Sequence, residues 1–178
     1  MQGGVVVLPS YTPHMPADPF DDPFTDDLLV GQALAERLRL LPLPGEGGLF
    51  RETHRDEHSS AIYFMLLHDM CSAMHRLMGD EVYHFYAGSP LRLLLLHPNG
   101  RVEEPVLGPD VMAGQVPQLR VPKGVWQGSS PQGAWSLVGT TMAPPFDWNG
   151  FELAPADLAS AYPKVASRIN ELLQRPTG

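Results

Sequence analysis

The sequence predicts a single all-β domain, a sandwich or barrel of short antiparallel strands with helical segments before and after it. Three observations predict it. At 178 residues the chain has the volume for one continuous core and not for two full domains. Its 19 prolines and 17 glycines, against 18% charged residues, imply many short elements joined by turns. From Pro42 onward the chain breaks into runs with strand character, "GLFRETH", "AIYFMLLH", "EVYHFYAG", "LRLLLLH", "RVEEPVLG", "PQLRVPKG" and "AWSLVGTTMA", most of them separated by Gly, Pro, Asn or Asp.

Residues 1–25 mix proline with acidic residues and show no period, which reads as a flexible Pro/Asp-rich arm outside a core domain of residues 26–178. Thr25, Asp26 and Asp27 then offer caps for "LLVGQALAERLRLL", where Leu29, Ala33, Leu34, Leu38 and Leu41 recur at helical spacing. Among the strand runs, "HPNGRV" predicts a hairpin closed by Asn99-Gly100 as a two-residue type I′ turn. The tail "PADLASAYPKVASRINELLQ" returns to helical spacing, with Pro163 placed to start a second helical piece. No repeat at a solenoid period is visible.

Twelve Lys and Arg against 20 Asp and Glu give a formal charge of -8, which repels phosphate backbones and excludes nucleic acid as a partner. The longest apolar run, near Leu93 to His97, falls far short of the roughly 20 residues that span a bilayer, and the N-terminus lacks the pattern of a secretory signal. A soluble, cytoplasmic protein with no membrane partner is expected. Cys71 is the only cysteine, so no internal disulfide forms, and it reads as a buried or loop residue.

The stretch "HRLMGDEVYHFYAGSP", His75 to Pro90, carries the densest chemistry. Strand alternation puts Glu81, Tyr83 and Phe85 on one face and Val82, His84 and Tyr86 on the other. If the first face looks inward, Glu81 is a carboxylate in a half-apolar cavity, where desolvation suits it to proton transfer; if outward, it is an ordinary surface acid. His75, just before the Gly79-Asp80 turn, faces Glu81 across a bend in this reading. Such a pair can hold a metal, share a proton or form a structural hydrogen bond.

A second polar set lies in "GQVPQLRVPKGVWQG", where Leu119 and Val121 alternate with Gln118 and Arg120, and a turn at Pro122 and Gly124 delivers Trp126 and Gln127. Glutamine is a poor transition-metal ligand but hydrogen-bonds amides, sugars and carboxylates well, which favours an organic ligand. "HRDEH", His54 to His58, matches one zinc-protease string, but it is polar throughout and lies between strand-like runs, so it reads as a loop. No phosphate loop, dinucleotide fingerprint or Gly-x-Ser-x-Gly elbow is present.

Taken together, "EGGLFRET", "DEVYHFYAGSPL", "PKGVWQ" and "FELA" make most of Pro42 to Ala154 resemble the cupins, in particular the small single-domain branch long labelled as a domain of unknown function. The resemblance implies a double-stranded β-helix, a jelly-roll barrel open at one end, found as a homodimer. It places His75, Glu81 and Gly88 on the first cupin motif and Pro122 and Gly124 on the second. Leu77 and Gln127 stand where that pattern has histidines, so two of the four expected metal ligands are lost. The same alignment points His75, Glu81 and Gln127 into the barrel.

A metal-free pocket for a small polar metabolite, such as a sugar derivative, an amino-acid-like compound or an acid, is therefore the expected site. If it is catalytic, the expected chemistry is isomerase- or epimerase-like proton transfer by His75 and Glu81, by analogy with metal-free epimerases of the superfamily. Gln115, Gln118 and Gln127 would orient the ligand, and Tyr83, Phe85 and Trp126 would shape or flank the cavity, with core packing as the other reading for Trp126. Two alternatives stand beside this one. One is a non-catalytic small-molecule sensor. The other is a metal-dependent oxygenase or isomerase holding a divalent metal on His75, Glu81 and Gln127.

Overall fold

The structure, a computed structural model, describes residues 23–173. Most of the expected N-terminal arm, residues 1–22, lies outside the described residues. Helix α1 (Pro23–Leu38) starts earlier than the caps suggest, at a proline, which has no N–H to leave unpaired in a first turn. It ends before Arg39, which turns the chain at φ 56. The buried stripe also differs from the expected one, since Leu29 and Leu41 are exposed while Leu28, Leu34, Ala35 and Leu38 pack on the barrel. Gly31 explains the shift. A Cβ there would sit 2.6 Å from the Trp135 ring, so the helix lies down along its glycine.

Twelve strands follow. They are β1 (Leu41–Pro42), β2 (Leu49–Arg55), β3 (Ser60–Leu67), β4 (Ser72–Leu77), β5 (Glu81–Gly88), β6 (Leu91–Leu96), β7 (Val102–Glu103), β8 (Val106–Leu107), β9 (Gln118–Val121), β10 (Trp126–Pro131), β11 (Trp135–Met142) and β12 (Phe151–Leu153). One sheet runs β1-β2-β3-β11-β5-β9 and the other β12-β4-β10-β6-β7, with β8 also on β6; every strand pair is antiparallel. The two sheets form a jelly-roll barrel, as expected. Helices α2 (Leu158–Ala161) and α3 (Ala166–Leu173) close the chain, with Pro163 opening the 3₁₀ turn that leads into α3.

Three local expectations are refined. First, the Gly79-Asp80 turn joins β4 to β5, which belong to opposite sheets, so the bend between His75 and Glu81 is a crossing of the barrel. Second, the hairpin at Asn99-Gly100 joins β6 to β7, but its turn is wider than two residues. The Gly100 N–H bonds the His97 carbonyl and the His97 N–H bonds the Arg101 carbonyl, and of the loop residues Gly100 alone has positive φ. Pro98 presets the φ of a type I turn and rules out I′, which needs positive φ at both central positions. Third, "RVEEPVLG" is two short strands, because Pro105 has no N–H to give the ladder.

Leu91, Leu93 and Leu95 of β6 point inward and meet Phe64, Leu66, Leu107 and Val138, which fills one half of the barrel. Leu94 and Leu96, on the opposite face, pack with Met74 under Ile169 and Leu172 of α3. Because β6 is covered on both faces it reads as an unbroken leucine run. Leu93→Ala is expected to lower stability by about 2–5 kcal/mol, read as a drop in the urea midpoint at unchanged slope.

Candidate functional site

The other half of the barrel is a cavity of about 370 Å³, a size typical of metabolite sites. Its walls are the starts of β3 and β5, the ends of β2, β4 and β11, and the loop before β2. Glu46, His75 and Glu81 contribute its titratable interior, Glu52 and Arg55 a charged rim, and Phe146 and Trp148 an aromatic mouth.

His75 lies in β4 opposite Gln127 of β10 on one side and Leu153 of β12 on the other, and both His75 and Gln127 are buried. His75 Nδ1 is 2.8 Å from the Ala73 carbonyl oxygen, which can only accept, so Nδ1 carries the hydrogen and Nε2 is the acceptor. Gln127 Nε2 donates to His75 Nε2 at 3.2 Å and to Glu81 Oε2 at 2.7 Å. A primary amide has two hydrogens and uses both here, bridging a strand of one sheet to a strand of the other. Its oxygen is buried with no hydrogen-bond partner. Phe151 stacks on the imidazole at 5.2 Å and 24°.

Glu81 begins β5 and faces inward with Tyr83, so the inward alternative holds. The Tyr83 hydroxyl bonds Glu81, and burial, followed by the charges of Glu81 and Glu46, pushes its phenol well above the ordinary 10.0.

Glu46 was not singled out from the sequence as a site residue. It sits in the "GEGG" loop, where Gly47 and Gly48 adopt φ of 96 and 75, and a Cβ on Gly48 would come within 2.7 Å of Leu66. That tight loop holds Glu46 against β4: its carbonyl accepts the Ala73 N–H at 2.8 Å and its carboxylate accepts the Ser72 hydroxyl at 2.6 Å. Burial, above all, lifts its carboxyl above the ordinary 4.5; Glu81 adds to the shift, while His75 and the Ser72 hydroxyl oppose it. At the rim, Arg55 donates to Glu52 at 2.7 Å and to the Phe146 carbonyl at 3.0 Å, and Ser60 accepts the Phe146 N–H at 2.9 Å. These bonds pin the segment carrying Phe146 and Trp148 over the cavity.

Several expected ligand contacts lie elsewhere. Gln118 is on the outer face, donating to His84 Nδ1 at 3.1 Å, because the even positions of β9 point away from the barrel. Gln115 accepts the Asp110 N–H at 3.0 Å in the loop before β9. Trp126 packs against the α2–α3 cluster on the outer face of its sheet, with the Arg76 guanidinium 4.5 Å above its ring, and Phe85 packs into the filled half of the barrel. "HRDEH" is only in part the expected loop: His54 and Arg55 are the last two residues of β2, and His58 lies in the exposed β2–β3 connection, so the two histidines share no helical face. Cys71 is a half-buried loop residue before β4 whose thiol is raised by burial.

Leu77 lines the cavity, at the position where the resemblance implies a histidine, both His75 nitrogens are hydrogen-bonded, and among the described residues no three His, Cys, Asp or Glu side chains are grouped to hold an ion.

A family model described as Cupin superfamily (DUF985) matches residues 32–154. The chain belongs to this cupin family. It is 34% identical to a Shewanella oneidensis protein of known structure (TM-score 0.74), covering 79% of this chain and 95% of that one. A hypothetical protein from Leishmania major is 29% identical at TM-score 0.73, with 79% and 97% covered. An oxalate decarboxylase variant from Bacillus subtilis shares the fold at TM-score 0.55 and 14% identity, over 75% of this chain and 37% of that one. No curated protein matches the chain. In this cupin the main cavity is lined by one histidine among the described residues, His75.

The raised carboxyl of Glu46 makes a pH prediction. Between the ordinary glutamate range and its own higher value, the folded state keeps a proton that the unfolded chain has lost, so this group's contribution to stability falls as pH rises. Glu46→Gln removes that loss. Thermal melts of the two proteins across pH 4 to 8 are expected to diverge, with the variant gaining relative to the parent as pH rises; a constant difference would contradict the assignment.

Proposed function

We propose that this cupin binds a small polar metabolite, a sugar derivative or an amino-acid-like compound, in the half-open barrel and moves a proton on it in isomerase- or epimerase-like chemistry. The observation that carries the reading is the juxtaposition, inside one cavity, of two carboxyls held in unlike surroundings. Glu81 is held by one hydrogen bond from the Gln127 amide, which suits a carboxylate base. Glu46 keeps its proton to higher pH, which suits an acid. Pairs of acids whose environments separate their proton affinities are the usual basis for dividing acid and base roles.

His75 supports the pair. With Nδ1 given to Ala73 and Nε2 taken by Gln127, it acts through position and polarity, and this shifts the expected His75–Glu81 proton pair towards Glu46–Glu81. Tyr83 and Gln127 hold Glu81 in place from behind. The same reading takes the working unit as a cytoplasmic homodimer. The family resemblance supports the dimer, and a chain with one cysteine has no internal disulfide to protect.

The test is deuterium uptake at acidic carbons, followed by NMR over a panel of sugar and amino-acid derivatives in D₂O. Uptake with the parent protein is expected to fall by about 10²–10⁴ in both Glu81→Gln and Glu46→Gln. Uptake unchanged in both variants would remove the proton-transfer reading, and saturable binding without any exchange would favour the sensor alternative. A further expectation concerns metal. Protein purified without chelators or a histidine tag should carry far less than one equivalent of transition metal, measured by elemental analysis; about one equivalent per chain, lost in Glu81→Ala, would favour the metal-dependent alternative.

A further inference from the structure

We infer that the barrel cavity selects a ligand carrying an organic ammonium group, held between the interior carboxylates and the aromatic mouth. The inference rests on the metabolite-binding reading above and narrows its ligand class. Three features of the cavity carry it.

The first is the balance of charge. Glu52 and Glu81 line the cavity as carboxylates, beside Glu46, which holds its proton to higher pH, against a single formal cation among the described lining residues, Arg55. Arg55 spends two of its five N–H donors, Nε on Glu52 and Nη1 on the Phe146 carbonyl, and its charge is offset by that Glu52 carboxylate. The one lining imidazole is hydrogen-bonded through both of its ring nitrogens. A carboxylate or phosphate entering this space would find one cation, at the rim and already paired, and would face the Glu81 carboxylate beyond it, inside a chain of net charge -8. A cationic ligand meets the opposite balance.

The second is the set of acceptors. Glu81 lines the cavity and takes one hydrogen bond, on Oε2, from the Gln127 amide behind it, and Glu46 lines it with one hydroxyl donor, from Ser72. The two interior carboxyls therefore keep acceptor positions that these bonds do not use.

The third is the mouth. Phe146 and Trp148 meet at right angles, with ring centroids 5.0 Å apart and planes at 86°, and Phe151 backs both, 5.4 Å from Trp148. Two aromatic rings making a corner beside a carboxylate is the arrangement that attracts ammonium groups, through the negative potential over each ring face. Trp148 is 54% exposed, so the ring stands at the entrance where an incoming cation first meets it. The fixed position of the corner follows from Arg55 and Ser60, which tether the Phe146 backbone.

The size permits more than the charged group. Behind the mouth, a second hollow of about 160 Å³ lined by Met78, Pro144 and Pro145 shares Leu77, Met142 and Phe146 with the main cavity. A ligand with an ammonium group in the interior has an apolar annex beside it.

The experiment uses choline, its neutral carbon isostere 3,3-dimethylbutan-1-ol, and acetate, titrated into the full-length protein and followed by the Trp148 indole resonance, assigned with Trp148→Phe. Choline is expected to shift that resonance saturably and to bind on the order of tenfold more tightly than the isostere, with acetate not competing. Equal binding of choline and the isostere, or preferential binding of acetate, overturns the ammonium inference while leaving a metabolite cavity in place. No saturable shift from any probe overturns the cavity reading as well. Glu81→Gln should erase the preference for choline over the isostere; because both probes are compared on the unmodified protein first, a poorly folded variant does not decide the outcome.

Discussion

The amide of Gln127 holds the site together. Its nitrogen touches both His75, on its own sheet, and Glu81, on the sheet opposite, and without it His75 Nε2 and Glu81 Oε2 would lose the donor they share across the barrel. Hydrogen bonds to charged groups are worth about 1.5–3 kcal/mol, while a buried acceptor left alone costs about as much or more. The bridge therefore stabilises the barrel and fixes the chemistry at once. It takes up the Nε2 lone pair that the Ala73 carbonyl leaves bare by holding the hydrogen on Nδ1, and it ties down one oxygen of Glu81. Histidine in the place of Gln127 would offer a lone pair to a metal; glutamine offers two hydrogens to neighbours that want them.

Around this bridge the barrel divides its interior along the strands. The leucines of β6 and the aromatic and aliphatic side chains of β3 and β11 fill one half to core density, and the polar floor occupies the other. The filled half makes the open half affordable. Helix α1 on the outside of one sheet and α3 on the outside of the other cover the remaining apolar faces, so the cavity wall is a rigid shell with two protected backs. The glycine loop carrying Glu46 adds a second acid to this shell from the connection before β2. That is how two carboxyls in unlike surroundings, one of them raised by burial, come to share one space.

Much of this was legible in the sequence. Alternation in "EVYHFYAG" put Glu81 with Tyr83, and the cupin-like motifs turned that face inward and named Gln127 as the replaced histidine. The strands that carry His75 and Gln127 escaped the strand reading, because β4 and β10 are covered on both faces and alternate in neither polarity nor burial. Gln118, Gln115 and Trp126 were placed by residue type without a face, and the pleat sends Gln118 and Trp126 outward. Glu46 lies within "EGGLFRET", which served only as a family marker; the signal that would have found it is an acid flanked by glycines, a backbone tight enough to press a carboxyl onto a strand. The aromatic mouth was invisible because Phe146 and Trp148 come from a loop whose position depends on Arg55, 91 residues away in sequence.

The most direct test of this arrangement is the tautomer of His75, read from long-range ¹H–¹⁵N correlations of the imidazole in protein prepared without added metal. The Ala73 carbonyl and the Gln127 amide together require the hydrogen on Nδ1 and a bare Nε2, and Gln127→Leu, which keeps the Ala73 carbonyl, should leave the hydrogen on Nδ1 while shifting the Nε2 resonance. A hydrogen on Nε2 in the parent protein, or an imidazole spectrum that changes when a chelator is added, would mean that Gln127 does not organise the site and that the metal-free account is wrong.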